Sequence, residues 1–143
     1  MVVISKRNCV YVRNVYDPEW SCKIDEGIAG LLSARWTPDS RFVLTVSEFK
    51  LRMTIWDLKL TKNQKQKPLY IDNPKFENQG VDFSGNSMAC VRKFLDGNGE
   101  AKDMISIFNT HSWHCSFSFF PDLKDCADIR FINDHLVAWE SDI

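Results

Sequence analysis

The sequence predicts an all-β fold built from a repeated unit of antiparallel strands. Its apolar segments are short, alternating and rich in β-branched and aromatic residues, a pattern typical of strands rather than of amphipathic helices. Pro, Asp, Asn and Gly separate these segments, as turns require. An aromatic residue also recurs just before a turn at Trp36, Phe83 and Phe131, at intervals of 47 and 48 residues. Strand-based repeats of about this length predict the blades of a β-propeller.

The most complete copy of the repeat lies at residues 34–58. Its pattern is a short strand ending at Trp36, a Thr-Pro-Asp-Ser turn, the strand RFVLTVS, a tight turn and a returning strand that closes on Trp56-Asp57. Strand, Pro-Asp turn, strand, tight turn and strand ending in Trp-Asp is the pattern of a WD-repeat propeller blade. We therefore expect Asp57 to bond to the start of its own blade.

Copies of this unit precede and follow the central one. Residues 9–14 match its closing strand, and residues 19–24 form the expected outer strand of a preceding blade. The next copy has Phe83 in the Trp36 position and Phe108 in the Trp56 position, with the hairpin turn Asp-Gly-Asn-Gly between them. The remaining strands are expected at 68–71, 80–83, 88–94, 103–109, 114–119, 127–131 and 136–140. The expected blade pieces are 1–30, 31–78, 79–126 and 127–143.

The repeats are degenerate and too few to close a propeller. Trp-Asp occurs once, no Gly-His dipeptide precedes any copy, and the chain holds about two full blades plus partial blades. Propellers close with four or more blades, and unpaired strand edges invite association. We therefore expect an incomplete propeller: a fragment, a truncated product, or a piece that pairs with something else.

Composition excludes several functional classes. The chain has 143 residues, 26% charged residues and a net charge of −1, so it lacks the basic excess typical of a nucleic-acid binder. No apolar run approaches the ~20 residues needed to cross a membrane. Its five cysteines are scattered and odd in number, which favours a reducing compartment over a disulfide framework.

Two longer stretches are more specific than a generic WD pattern. These stretches, PEWSCKIDEGIAGL and ARWTPDSRFVLTVSEFKLRMTIW, resemble the centrosomal and spindle-pole WD-repeat proteins of the "WD repeat protein Eight" family (WD-repeat antisense-to-tumour-protein type). Two later stretches, DMISIFNTHSW and residues 129–139, look like the same family continuing in order. The resemblance covers almost the whole chain but only a middle part of a full-length member. It implies a non-enzymatic scaffold of the cytoplasm and cytoskeleton, at the centrosome or spindle pole.

The partners implied by this resemblance are proteins. They are a coiled-coil spindle-pole anchoring protein and a minus-end-directed kinesin, with roles in anchoring microtubule minus ends and in spindle and cilium organisation. A generic WD-repeat adaptor in ubiquitin ligation or RNA processing is the alternative, and an enzyme built on a propeller ranks last.

Two groups of residues are candidates for structural or functional roles. Core positions of the repeat are expected at Trp36, Trp56, Asp57, Phe83, Phe108 and Phe131. Contacts with a partner are considered at Trp20, which is either core between blades or an exposed anchor, and at Lys62 and Lys65 in the basic stretch 59–67. For the lysines, an ordinary solvated loop is the simpler interpretation.

Metal, cofactor and catalytic sites are not predicted. His111, His114, Cys115 and Cys126 supply zinc-type donors without a standard zinc spacing. Asp122, Asp125 and Asp128 lack the pattern of a calcium loop and are interpreted as solvated acids. No nucleophile motif or phosphate-binding loop is present.

Overall fold

A computed structural model describes residues 2–5, 8–59 and 68–141. Two compact units divide the chain, Met1–Ile71 and Asp72–Ile143. Within the described residues the regular structure is β, with two short 3-10 turns at Gly27–Ala29 and Glu48–Lys50. This all-β architecture confirms the predicted fold class.

The first unit contains two antiparallel sheets. The smaller sheet has the order β1-β2-β3, with strands Val2–Ser5, Cys9–Arg13 and Ser21–Asp25. The larger sheet has the order β4-β5-β6-β7, with strands Ser33–Trp36, Phe42–Val46, Arg52–Asp57 and Leu69–Asp72. Each strand pairs with the next strand along the chain, which is the meander of a propeller blade.

The second unit also contains two antiparallel sheets in which consecutive strands pair. A four-stranded sheet has the order β8-β9-β10-β11, with strands Val81–Ser84, Ser87–Leu95, Ala101–Asn109 and Cys115–Phe119. A two-stranded sheet follows, with β12 at Cys126–Ile132 and β13 at His135–Glu140. The two four-stranded sheets have the strand number of complete blades, and the other two sheets have fewer strands than a blade requires.

Each unit encloses its own apolar core between its two sheets. In the first unit Val10, Val12 and Ile24 of the smaller sheet pack against Val43 of the larger one. In the second unit the four-stranded sheet contributes Ala89, Val91, Ile105 and Ile107 to the core. Strand β12 contributes Cys126 and Ile129. Alternating apolar residues on facing sheets therefore supply the packing that the strand pattern predicts.

Several element boundaries differ from the sequence prediction. The outer strand expected at 19–24 is β3 at Ser21–Asp25, so that Trp20 precedes the strand. The Asp17 carbonyl accepts a hydrogen bond from the Trp20 amide at 3.1 Å, which places Glu19 and Trp20 in the preceding turn. The third copy begins at Cys126, because β12 extends one residue further back than the predicted strand.

Replacing Trp36 with alanine tests the packing of the first unit. Trp36 is half-buried and packs against the cluster of Val10, Val12, Ile24 and Val43. Because part of the indole already contacts solvent, we expect a loss of about 2–3 kcal/mol in the free energy of unfolding, below the value for a fully buried aromatic residue. Urea denaturation measures it, with Tyr16→Ala, at a 95% exposed position, as the near-neutral control. Equal losses for both variants would contradict the packing role.

Candidate protein-interaction site

A buried carboxylate anchors the connection between β3 and β4. Glu26 is only 4% exposed. Its Oε1 atom contacts the Thr45 hydroxyl, and Oε2 accepts a hydrogen bond from the Thr54 hydroxyl at 3.4 Å. Because Thr45 and Thr54 lie opposite each other on β5 and β6, one carboxylate fixes the turn to both central strands of the sheet.

Trp56 joins this network and links it to the Trp-Asp motif. Its indole nitrogen donates to the Thr45 hydroxyl at 2.9 Å and to Glu26 Oε1 at 3.3 Å. Arg52 adds a cation 3.5 Å from Glu26 Oε2 and stacks over Tyr70, with its guanidinium carbon 4.5 Å from the ring centre. The adjacent Asp57 accepts a hydrogen bond at 3.0 Å from Arg41, the residue that precedes β5. The motif is therefore held by an acidic residue from the preceding connection.

Two turns lie together above this network at one end of the larger sheet. One is the 26–30 turn, and the other is the 47–52 turn between β5 and β6. They share an end because Ser33 pairs with Val46, and Val46 pairs with Met53. They also touch: a side-chain carbon added at Gly30, whose φ is +69°, would lie 2.5 Å from the Glu48 side chain. The positive φ of Gly30 favours glycine at this contact.

The tips of both turns carry exposed apolar side chains. Ile28 is fully exposed, and Phe49 is 84% exposed. Phe49 and Lys50 have positive φ angles of 60° and 53°, a backbone region that bulky residues rarely adopt. Two backbone hydrogen bonds close the turn: the Ser47 amide donates to the Arg52 carbonyl at 3.0 Å, and the Lys50 amide donates to the Ser47 carbonyl at 3.1 Å. The fold thus holds an aromatic side chain outwards in an unfavourable backbone conformation.

A second buried polar cluster lies in the other unit. The Lys75 ammonium donates to Asp103 Oδ2 at 2.6 Å, to Asp125 Oδ1 at 2.6 Å and to the Cys126 carbonyl at 2.5 Å. Asp103, whose side chain is 2% exposed, also pairs with Lys93 at 2.7 Å and accepts a hydrogen bond from the Cys126 amide at 2.8 Å. These contacts tie the connection before β8 to β10 and to the start of β12.

Burial and ion pairing act in opposite directions on this cluster. Burial alone would raise the pKa of Asp103, but its bonds to Lys75, Lys93 and the Cys126 amide outweigh burial and lower the pKa. Burial likewise opposes the charge of Lys75, yet its bonds to Asp103 and Asp125 raise its pKa. For the Cys126 thiol burial dominates, and its pKa is raised. Both members of the Lys75–Asp103 pair are therefore charged at neutral pH.

These shifts predict how stability depends on pH. The lowered pKa of Asp103 gives stabilisation that is present above its ordinary value of 3.8 and is lost as the pH falls through the lowered value. The raised pKa of Lys75 gives stabilisation that is present below 10.5 and is lost as the pH rises through the raised value. Urea midpoints measured across the acid range should fall below pH ~4 less steeply in Asp103→Asn than in the native chain. Parallel acid limbs would contradict this assignment.

The predicted repeat positions fall at equivalent places in successive sheets. Trp36, Phe83 and Phe131 lie in β4, β8 and β12, the first strands of their sheets, and all three are half-buried. Trp56 is partly buried against the core of the first unit, whereas Phe108 is buried. Their roles as repeat core remain predictions.

The predicted partner contacts have different environments. Trp20 is partly buried and packs against the same apolar cluster as Trp36 and Trp56. Lys62 and Lys65 lie outside the described residues, so their contact role stays a prediction. In the acidic loop, the Asp125 side chain is 54% exposed, as expected of a solvated acid, and it also binds Lys75. The solvated interpretation is wrong for Asp128, which is half-buried and accepts a hydrogen bond from the Gly80 amide at 2.8 Å.

Donor groups suited to a metal do not gather in the part of the chain that the structure describes, where no cluster of three or more His, Cys, Asp or Glu side chains is present. His111 instead contacts the Asn86 amide oxygen at 2.9 Å, and the Cys115 thiol lies 3.4 Å from the Ser118 hydroxyl. None of the helical segments described has the length and apolarity needed to span a bilayer. The tips of the 26–30 and 47–52 turns thus present exposed apolar side chains at one end of the larger sheet.

Four antiparallel sheets with a partly buried Trp-Asp motif define this chain as part of a WD-repeat β-propeller protein. Comparison with known proteins agrees: WD repeat-containing protein WRAP73 of Mus musculus is 36% identical over 140 residues, which cover 95% of this chain and 28% of that relative. The chain belongs to the same WD-repeat family, which confirms the resemblance found in its sequence. No family model matches the chain. No solved structure matches it significantly.

Proposed function

We propose that this chain is a non-enzymatic scaffold segment that binds proteins of a centrosome or spindle-pole complex. WD-repeat proteins typically act as protein-binding scaffolds without catalysis of their own. The observation that carries the proposal is the 36% identity to the mouse WD-repeat relative across nearly the whole chain. Since the chain spans about 28% of that relative's length, the activity of the whole protein is part of the proposal.

The proposed partners are a coiled-coil anchoring protein of the spindle pole and a minus-end-directed kinesin. Through them the scaffold would tether microtubule minus ends and support spindle and cilium organisation. The exposed turn tips support a binding role, because a protein partner can bury exposed apolar side chains. Trp20, Lys62 and Lys65 remain proposed contacts.

Proximity labelling with the full 143-residue chain in dividing cells tests this function. Centrosomal coiled-coil and microtubule proteins should be enriched over a matched WD-repeat segment from an unrelated protein, and a fluorescent fusion should concentrate at spindle poles. Enrichment of ubiquitin-ligase or RNA-processing subunits, with a diffuse fusion, would favour the generic adaptor and overturn the proposal.

A further inference from the structure

We propose that the edge of β13 facing away from β12 binds an extended apolar segment of a partner protein as a third, antiparallel strand. The surface is called the β13 edge site, and it consists of the outward-facing backbone of β13 together with Phe117 and Phe119 on β11. The proposal goes beyond the proposed function, because it concerns the chemistry of the bound segment and not the complex that supplies it.

Strand β13 lacks a neighbour that its equivalents in the complete sheets have. It is the second strand of its sheet in chain order, as β5 and β9 are in theirs. Strand β5 pairs with both β4 and β6, and β9 pairs with both β8 and β10. Among the described residues, β13 pairs with β12 alone. In both complete sheets an antiparallel strand therefore fills the place that is open beside β13.

The register of β12 and β13 shows which backbone groups are available. The two strands are joined by a two-residue turn, Asn133-Asp134, across which Ile132 faces His135. Hydrogen-bonded and non-hydrogen-bonded pairs alternate from such a turn, so Leu136 and Ala138 direct their amide and carbonyl groups away from β12. Backbone groups of this kind are a template for another strand. Strand addition to a sheet edge is an established mode of peptide recognition.

Phe117 and Phe119 provide a second, independent observation. They lie directly opposite Ile107 and Ile105, so they share the face of the four-stranded sheet that carries the core of this unit. The two-stranded sheet covers part of this face, with β12 against β8 and β9. On the outermost strand Phe117 is 58% exposed and Phe119 is 38% exposed. The two rings therefore continue an existing apolar interface beyond its covered part.

A single added strand would satisfy both features. Leu136 and Ala138 pack against the core cluster to which Ile105 and Ile107 belong, so growth of the sheet beyond β13 proceeds towards β11. A third strand would bond to the backbone of β13 and turn alternate side chains towards the two exposed rings. Burial of these rings adds apolar stabilisation to the backbone hydrogen bonds.

The complete sheets also indicate which side chains the segment carries. Leu136 occupies the position of Val43 in β5 and Met88 in β9, since each faces the repeated aromatic residue of the first strand. On the third strand the residue opposite this position is aromatic in both sheets. Trp56 lies opposite Val43, and Phe108 lies opposite Met88. We therefore expect an alternating apolar segment with an aromatic residue opposite Leu136.

Pairing between the β13 strands of two copies fits the site poorly. Antiparallel pairing about a twofold axis keeps equivalent faces on the same side of the joined sheet. The four-stranded sheets of both copies would then lie on that side, where β10 and β11 of one copy would take space that the other copy occupies. A segment from a different protein does not bring this second sheet with it.

Fluorescence anisotropy with a labelled peptide of residues 51–59, titrated with the full 143-residue chain, tests the proposal. This peptide is the probe because it contains the third strand of a complete sheet, including Trp56. It should bind with a dissociation constant in the micromolar range. The variant Ala138→Pro should weaken binding about tenfold or more, because it removes an outward amide and leaves the bonds to β12 intact.

Two exposed phenylalanines give a matched pair of variants that does not depend on the backbone change. Phe117→Ser should also weaken binding about tenfold, because it removes apolar surface under the added strand. Phe94→Ser should leave binding unchanged: Phe94 is 41% exposed and lies on the opposite face of the same sheet, three residues beyond Val91. Unchanged thermal midpoints show that the variants fold.

Hydrogen exchange locates the bound peptide. It should slow exchange of the Leu136 and Ala138 amides and leave the amides of β6 unchanged, because the peptide adds to β13 and does not displace β6. Absence of binding, or binding that ignores both Ala138→Pro and Phe117→Ser, would overturn the proposal. Protection of the same two amides that rises with the concentration of the chain alone would assign the edge to a second copy, and would also overturn it. None of these outcomes alters the spindle-pole labelling test.

Discussion

Asp103→Ala is expected to lower the free energy of unfolding by about 3–5 kcal/mol, the largest single effect that this structure predicts. Asp103 faces two cations and a backbone amide from three different segments. Removing its carboxylate leaves the Lys75 ammonium, itself buried, with the more exposed Asp125 carboxylate as its remaining counter-charge among the described residues. A buried charge that has lost its principal partner is costly because it can no longer be solvated by water.

The comparison that isolates this mechanism is the double variant Asp103→Leu/Lys75→Met. Removing both charges together replaces the ion pair with apolar volume, and buried pairs often tolerate such an exchange. We expect the double variant to recover more than half of the loss seen with Asp103→Ala, measured by urea denaturation at neutral pH. If Asp103→Ala costs less than about 1 kcal/mol, the cluster is solvated like an ordinary surface pair.

Glu26→Ala is expected to cost about 2–4 kcal/mol. The Glu26 carboxylate accepts hydrogen bonds from two buried hydroxyls and from the Trp56 indole. Alanine would leave the two hydroxyls without this acceptor and would release the 26–30 turn from β5 and β6, while the Trp56 indole would keep its bond to the Thr45 hydroxyl. The energetic penalty comes from desolvated donors rather than from lost apolar contact.

Glu26→Gln separates charge from shape in this network. The amide keeps an acceptor oxygen and nearly the same volume, so we expect a smaller loss of about 1–2 kcal/mol. Chemical denaturation followed by tryptophan fluorescence measures both variants, and Glu19→Ala at an exposed turn position serves as the control. A loss in Glu26→Ala no larger than in Glu19→Ala would show that the network is not stabilising.

The strand architecture could be predicted from sequence because its signals are local. RFVLTVS is a short apolar run rich in β-branched residues, and the turns before β5 and β9 carry Pro, Asp, Gly and Asn. Phe83 also follows Trp36 by one repeat length. Each of these patterns spans fewer than ten residues or repeats at a fixed interval. Boundary errors such as that at Trp20 arise because the same residue types serve in turns and at strand ends.

The polar clusters could not be predicted in this way. Glu26 lies in the sequence Asp-Glu-Gly, which is typical of a solvated turn, and its partners lie 19 to 30 residues further along the chain. Lys75 is separated from Asp103 and Asp125 by 28 and 50 residues. Only the fold brings these groups together, and a single charged residue in a connecting segment gives no local signal that it is buried. The exposure of Phe49 could not be predicted either, because phenylalanine ordinarily indicates a core position.

The threefold bonding of Lys75 has a consequence for how the second unit opens. Its ammonium bonds to residues on both sheets of that unit, so β12 cannot separate from β10 without breaking the cluster. A two-stranded ribbon by itself is only marginally stable in water. Amide protons of β12 should therefore exchange with solvent at rates close to those of β10, because the two strands unfold cooperatively and β12 does not open locally by itself.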